Sequence, residues 1–216
     1  SDMAVGIGKI FNIDLPANFL SPYKATSISE FWRRWHITLG RALSTYVYKP
    51  LGGNRKGRVK TYINLLLTFL VSGLWHGAAW TFVWGLLHGI ASVIDRLFRD
   101  NNWKINKYVS WILTFMFVNC AWVFFRATTF ERAFEILTAM FSVPSGGVLN
   151  MAGIIIIGLV YILLVISLVV TLSFKNTYEL AETFDYTTIN TVYVVILMVV
   201  GISFMPRISP FIYFNF

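Results

Sequence analysis

Charge is what this chain has least of. Asp, Glu, Lys and Arg make up 13% of its 216 residues, and only ten are acids. A soluble domain carries about twice that share of charge. Cysteine is nearly absent. Cys120 stands alone in an apolar run, which excludes an intrachain disulfide and leaves a Cys-based metal site unsupported. Its expected state is an inert, packed thiol. No repeat, low-complexity tract, soluble domain or signal peptide is visible, and neither a metal nor a bound cofactor is expected. The chain begins Ser1-Asp2-Met3-Ala4 without an initiator Met, and we expect it to be part of a longer protein.

What the chain has in excess is apolar surface. Hydrophobic residues reach 56% and aromatics 17%. This composition predicts an all-α, polytopic integral membrane protein. The net charge of +8 is concentrated: nine of the eighteen Lys and Arg fall between Lys24 and Lys60, with Glu30 the only acid among them. Such a block reads as a cytoplasmic segment beside anionic headgroups. Membrane lipid is therefore an expected partner. Nucleic acid is not, because no nucleic-acid module accompanies the charge.

Residues 1–26 read as an entry segment, a short helical tail and a loop limited by Gly6, Gly8, Pro16 and Pro22. Asp2 and Asp14 are expected to be solvated. Ser27-Ile28-Ser29-Glu30 has the form of a capping box, with Ser27 accepting from the Glu30 N–H and Glu30 reaching back to Ser27. It opens an amphipathic helix running to Tyr46. Ile28, Phe31, Trp32, Trp35, Leu39, Ala42, Leu43 and Tyr46 share one face, and Arg33, Arg34 and Arg41 the other. Ile37 breaks the pattern. The helix is too charged to span and is expected in the interface plane. His36 falls at the rim of its apolar face. The turn from Tyr48 to Gly57 follows, so residues 27–60 form a basic interfacial helix plus a Gly-rich turn. That turn can cradle a phosphate of a nucleotide, pantetheine or lipid headgroup, or it is a loop kept positive for topological reasons.

Residues 61–98 hold no charge before Asp95. About 20 residues cross a bilayer, so this run is either one tilted helix or two pieces broken near Ser72–Gly77. The loop charges satisfy the positive-inside tendency either way. His76 lies inside the run. An ionisable side chain at membrane depth is costly and faces protein or a wet cavity, which makes His76 a functional candidate. The same argument weighs less for His88, which reads as a packing histidine. Gly73, Gly77, Gly85 and Gly89 recur every fourth or eighth residue and suggest a face for close contact with a partner helix. On a continuous helix, His76, Trp80, Trp84 and His88 form a second, slanting ridge. Further spans are expected at residues 108–125, 151–174 and 191–205, with a short helix around Phe130–Phe141, a loop over Lys175–Asn190 and an interfacial aromatic tail over Phe211–Phe216. The total is about four to five membrane helices plus the amphipathic interfacial helix.

Three motifs then agree. Ser29-Glu30-Phe31-Trp32-Arg33-Arg34-Trp35-His36, Tyr48-Lys49-Pro50-Leu51-Gly52-Gly53-Asn54-Arg55 and Gly73-Leu74-Trp75-His76-Gly77 resemble the membrane-bound O-acyltransferase family. The resemblance is strongest to its bacterial branch that acetylates alginate, and the opening residues and the ending Phe211-Ile212-Tyr213-Phe214 share it. It covers essentially the whole chain, as the C-terminal half of such a fold, and implies N-terminal helices of the same protein as partners. It implies that His76 is the catalytic histidine and that His36 occupies the second signature position. The Leu-Gly-Gly-Asn-Arg turn favours the alginate-type branch over D-alanyl transfer.

Acyl transfer needs a base for the acceptor hydroxyl and donors for the oxyanion. The resemblance therefore implies His76 as base toward the acceptor hydroxyl, or as the group that activates an intermediate acceptor, with His36 orienting the thioester or stabilising the oxyanion. Trp75 and Trp80 would wall the site, and Trp32, Arg33, Arg34, Asn54, Arg55 and Lys56 would support it or bind substrate. The expected donor is acetyl-CoA or another cytosolic acyl thioester. The expected acceptor is an exported glycan, with extracytoplasmic acetyltransferases as further partners and a bacterial inner membrane as location. Two other readings remain: an acyl-group conduit without chemistry, and O-acylation of teichoic acid, lipid or protein.

Overall fold

The structure is a computed structural model that describes residues 1–77, 80–142 and 151–204, without the side chains of Trp80 and Ala152. Among the described residues its regular structure is all helical, with no strand. A first unit holds α1 (Asp2–Ile10), a 3₁₀ turn (Pro22–Lys24), α2 (Ile28–Arg34), α3 (Ile37–Leu43) and a π-helical turn (Ser44–Tyr48). It continues with α4 (Arg58–His76), α5 (Trp80–Asp100), α6 (Lys107–Arg126), α7 (Phe130–Phe141) and α8 (Met151–Ser173). A second unit holds α9 (Thr177–Glu182), which lies within the stretch expected to be a loop, and α10 (Thr188–Phe204). The expected aromatic tail lies outside the described residues.

Among the described residues, three helices are long and apolar enough to cross a membrane: Thr81–Asp100, Lys107–Arg126 and Gly153–Ser173. Thr188–Phe204 is a shorter apolar helix. The chain is thus an all-α protein of the polytopic membrane kind. α4 has the same character turned inside out. Thr61, Asn64, Thr68 and Ser72 recur at helical spacing on its buried face, while Ile63, Leu67, Val71 and Leu74 are exposed. Water would select the reverse pattern; lipid selects this one.

Residues 61–98 are two pieces. The break is Gly77, whose φ of 143° and ψ of 148° suit glycine alone. α4 and α5 fold back on each other, and the glycine series closes this hairpin from within. A Cβ on Gly85 would stand 2.5 Å from the Phe69 carbonyl oxygen and 2.9 Å from Gly73 Cα, and one on Gly73 would stand 2.6 Å from the Thr81 oxygen. The close contact expected with a partner helix is therefore made inside the chain. At its other end Tyr62 donates to Asp100 Oδ2 at 2.9 Å, and Arg96 pairs with the same carboxylate at 2.8 Å.

The helix expected over residues 27–46 is also two pieces. Trp35 is extended (φ −108°, ψ 127°) and His36 is left-handed (φ 46°, ψ 53°). This break removes the Ile37 anomaly, because Ile37 starts a new helix with its own phase. α2 runs antiparallel along α5: Ser29 N donates to Asp95 Oδ2 at 3.1 Å, and Trp32 Nε1 donates to His88 Nδ1 at 3.2 Å. Phe31, 1% exposed, packs with Ala25, Ile28 and Val118 of α6. The capping box is also modified. Ser27 accepts from the Glu30 N–H at 3.2 Å as expected, but Glu30 reaches Thr26 instead of Ser27, accepting its N–H at 2.8 Å and its hydroxyl at 2.9 Å.

Candidate functional site

His36 stands at the tip where α2 turns into α3, and His76 at the tip where α4 turns toward α5. A left-handed backbone at a non-glycine residue costs about 1–3 kcal/mol and persists only where its surroundings impose it. Here Asn18 imposes it. Its carbonyl accepts the Ile37 N–H at 3.1 Å, and its side-chain oxygen accepts the Thr38 N–H at 3.1 Å and the Thr38 hydroxyl at 3.0 Å. That same oxygen faces His36 Nδ1 at 3.3 Å. The Thr38 N–H can only donate, so the Asn18 oxygen is an acceptor and His36 Nδ1 carries the proton. The Nε2 lone pair is left for chemistry. Burial holds the His36 imidazole below its ordinary value of 6.5, so the ring is neutral at pH 7.

His76 is half-buried, edge-on to Trp84 at 5.5 Å and to Phe125 at 5.3 Å between ring centroids. Aromatic rings link the two tips: Trp35, next to His36, lies 5.0 Å from Trp122, which stacks on Trp84 at 5.8 Å between ring centroids. The ridge expected on one continuous helix is rebuilt across the Gly77 bend, since Trp84 also touches His88 at 4.8 Å. The wall of the site differs from the expected one. Trp75 touches His76 at 4.8 Å but is 59% exposed, and the side chain of Trp80 lies outside the described residues. Trp84, 1% exposed, and Phe125 on α6 stand in the enclosing positions.

A cleft of about 620 Å³ opens between α2, α3, the π-helical turn and the middle of the α4–α5 hairpin; Ile37 lines it, and neither His36 nor His76 does. Arg33, Arg41 and Lys49 line it, with no acid among its lining residues. Trp32 and Phe69, in edge contact at 5.2 Å, also line it. Three cations around an apolar floor suit a ligand with an anionic head and a slim apolar arm.

The other expected residues lie elsewhere. Arg34 is engaged with Glu30 at 2.8 Å and with the Leu20 carbonyl at 3.3 Å, which ties α2 to the entry segment. Asn54, Arg55 and Lys56 are exposed on the Gly-rich turn and do not line the cleft. Three N–H groups of that turn are already engaged within it. The N–H groups of Gly52, Gly53 and Arg55 already donate to Lys49, Tyr48 and Gly52 carbonyls, and Asn64 Nδ2 ties down the Gly53 carbonyl at 2.9 Å. Asn18, Trp84 and Phe125 are the site residues that sequence reasoning missed. Trp84 was within reach, on the slanting series with His76; Asn18 gives no local signal.

Comparison with known proteins follows the same residues. The membrane-bound O-acyltransferase family matches residues 1–132. A peptidoglycan O-acetyltransferase of Helicobacter pylori is 41% identical over the whole chain, which covers 45% of that protein. A probable alginate O-acetylase AlgI of Azotobacter vinelandii is 46% identical over 66% of the chain and 29% of its own length. A teichoic acid D-alanyltransferase of Streptococcus thermophilus is more distant, at 29% identity over half of the chain and 28% of its length. The chain thus spans less than half the length of these relatives. The motifs around His36 and His76 fall inside the matched region, and the chain belongs to the membrane-bound O-acyltransferase family.

Proposed function

We propose that the protein is a membrane O-acetyltransferase of the bacterial inner membrane. It moves an acetyl group from a cytosolic thioester, acetyl-CoA, to hydroxyls of an exported cell-envelope glycan. The observation that carries this reading is the placement of His36 and His76 on the tips of two separate helix pairs, bridged by the ring contacts Trp35–Trp122, Trp122–Trp84 and Trp84–His76. The basic cleft supports a donor with a phosphate-bearing head, and its apolar floor suits a pantetheine arm.

In this reading His76 takes the proton of the acceptor hydroxyl as its oxygen attacks the acyl carbon. The carbonyl π pair moves to oxygen. The C–S bond then breaks, its pair goes to sulfur, and His76 returns the proton to the thiolate. His36, its Nε2 lone pair free, orients the acceptor or an intermediate acceptor beside His76.

The Helicobacter pylori relative, matched over the whole chain, is named for peptidoglycan, so that polymer is the first to assay, with alginate-type glycans second. Further membrane helices of the same protein would enclose the site from the lipid side, and extracytoplasmic acetyltransferases would complete delivery. Mass spectrometry of envelope glycans from strains with and without the gene tests the proposal. Loss of O-acetyl groups on deletion is expected. Unchanged acetylation of every envelope glycan would contradict it.

A further inference from the structure

His88 and Trp84 hold two buried N–H groups that nothing among the described residues receives. His88 is 0% exposed, and its Nδ1 accepts the Trp32 indole N–H at 3.2 Å. An indole nitrogen only donates, so Nδ1 must carry the lone pair and the ring's single proton must sit on Nε2. That Nε2–H has no partner among the described residues, and neither has the indole N–H of Trp84. The two rings are adjacent, with centroids 4.8 Å apart at 60°. Phe31, Phe69 and Phe117, which offer no side-chain acceptor, also pack around His88.

Buried donors without acceptors are rare in folded proteins, and each needs an explanation. Two such donors on adjacent rings in an apolar shell call for an oxygen rich in lone pairs. The place is specific: Trp84 also touches the His76 ring at 5.5 Å, while Trp32 and Ser92, one turn beyond His88 on α5, line the basic cleft. The pair therefore stands between the donor cleft and the base.

We propose that Trp84 Nε1–H and His88 Nε2–H form a two-donor site for the carbonyl oxygen of the transferred acyl group, a proposal that rests on the acyl-transfer reading above. When the hydroxyl oxygen bonds to the acyl carbon, the carbonyl π pair becomes a full charge on this oxygen, and both N–H groups strengthen their hydrogen bonds to it. When the C–S bond breaks the pair returns to the carbonyl, and the proton held by His76 goes to sulfur. Fixed donors in a dry site act on the developing charge more than on the bound substrate.

The two amide replacements of His88 separate this role from packing. In His88→Gln the amide N–H₂ reaches the place of Nε2 and keeps a donor there. In His88→Asn the amide oxygen reaches the place of Nδ1 and keeps the acceptor for Trp32, but no donor remains at Nε2. Turnover of acetyl thioester is measured with the protein expressed from its own gene. His88→Gln should retain kcat within roughly tenfold, while His88→Asn and Trp84→Phe should each lose on the order of 10²-fold in kcat with KM little changed. His88→Asn as active as His88→Gln would show that His88 only anchors Trp32, and would overturn the proposal. An effect of Trp84→Phe on KM alone would also overturn it. A wild-type protein that turns over no thioester would instead sink the transfer reading, and this site with it.

Discussion

The side-chain oxygen of Asn18 lies 3.3 Å from Nδ1 of His36 and holds that ring in one tautomer. The same oxygen receives two hydrogen bonds from Thr38, so one amide fixes both the backbone reversal and the imidazole. Asn18 thus acts through His36, as a positioning residue.

Replacing Asn18 separates its two tasks. Asn18→Leu leaves the Thr38 N–H without its acceptor and should destabilise the α2–α3 turn by about 1–3 kcal/mol, with a fall in kcat. Asn18→Asp keeps the acceptor and adds a negative charge beside Nδ1–H. That charge favours the imidazolium and should move the acid limb of the pH–rate profile to higher pH. Thermal unfolding and pH–rate profiles of the two variants check this. An acid limb unmoved in Asn18→Asp would separate Asn18 from the chemistry.

The sign of the wild-type pH dependence follows from His36. Burial lowers its affinity for a proton below that of a free imidazole at 6.5. The neutral ring therefore persists as pH falls through 6.5, and activity should stay on its plateau there, declining only at lower pH. Stability should fall over the same acid window. Below 6.5 the unfolded chain binds a proton that the folded chain refuses, and the loss ends once the folded ring titrates too. A decline in rate already complete at pH 6.5 would contradict the assignment.

Much of this fold was legible because lipid imposes simple rules. The span expected at residues 151–174 is α8 (Met151–Ser173) to within a residue, since an uninterrupted Ile, Leu and Val run leaves no other choice. The helix at Phe130–Phe141 has the expected ends because Thr129 caps it, accepting the Arg132 N–H at 3.2 Å. The breaks were harder to read. Gly77 was one of several glycines that could have ended a helix. His36 is not a residue type that announces a reversal, and the only local trace was the misphased Ile37. What makes His36 turn is Asn18, eighteen residues earlier, and no local pattern carries a contact at that separation. The site was legible at His36 and His76, which carry motifs, but not at Trp84 or Phe125, which act through packing.

The glycines of the hairpin can be ranked by space. Gly85→Ala places a Cβ against the backbone of Phe69 and Gly73, which cannot rotate away. It should cost about 1–3 kcal/mol, as overpacking typically does, and should shift His76 against Trp84 and so lower activity. Gly158→Ala on α8, where a Cβ meets nothing within 4 Å, should leave stability unchanged or slightly raised. Denaturation midpoints of the two variants in one detergent decide it. Equal midpoints would mean that the two helices are not in close contact.

The cleft makes an electrostatic prediction. Arg41 and Lys49 line it with no acid opposite. The double variant Arg41→Gln, Lys49→Gln should raise the apparent KM for an anionic thioester donor, on the order of tenfold at low salt and less at high salt, because partly exposed charges are screened. The effect should exceed that of Arg55→Gln, Lys56→Gln on the outer turn. Equal effects of the two pairs would move donor capture away from the cleft.

The central claim is that His76 performs chemistry instead of lining a passage. The most direct measurement is acetyl-thioester turnover, together with O-acetylation of the envelope glycan, by His76→Gln beside wild type at matched membrane levels. Glutamine keeps the size and polarity of the ring but cannot take a proton at neutral pH. The account predicts a loss of about 10²-fold or more, the range expected on removing a general base, with membrane insertion intact. Activity of His76→Gln within a few-fold of wild type would contradict it and leave the protein a conduit for acyl groups.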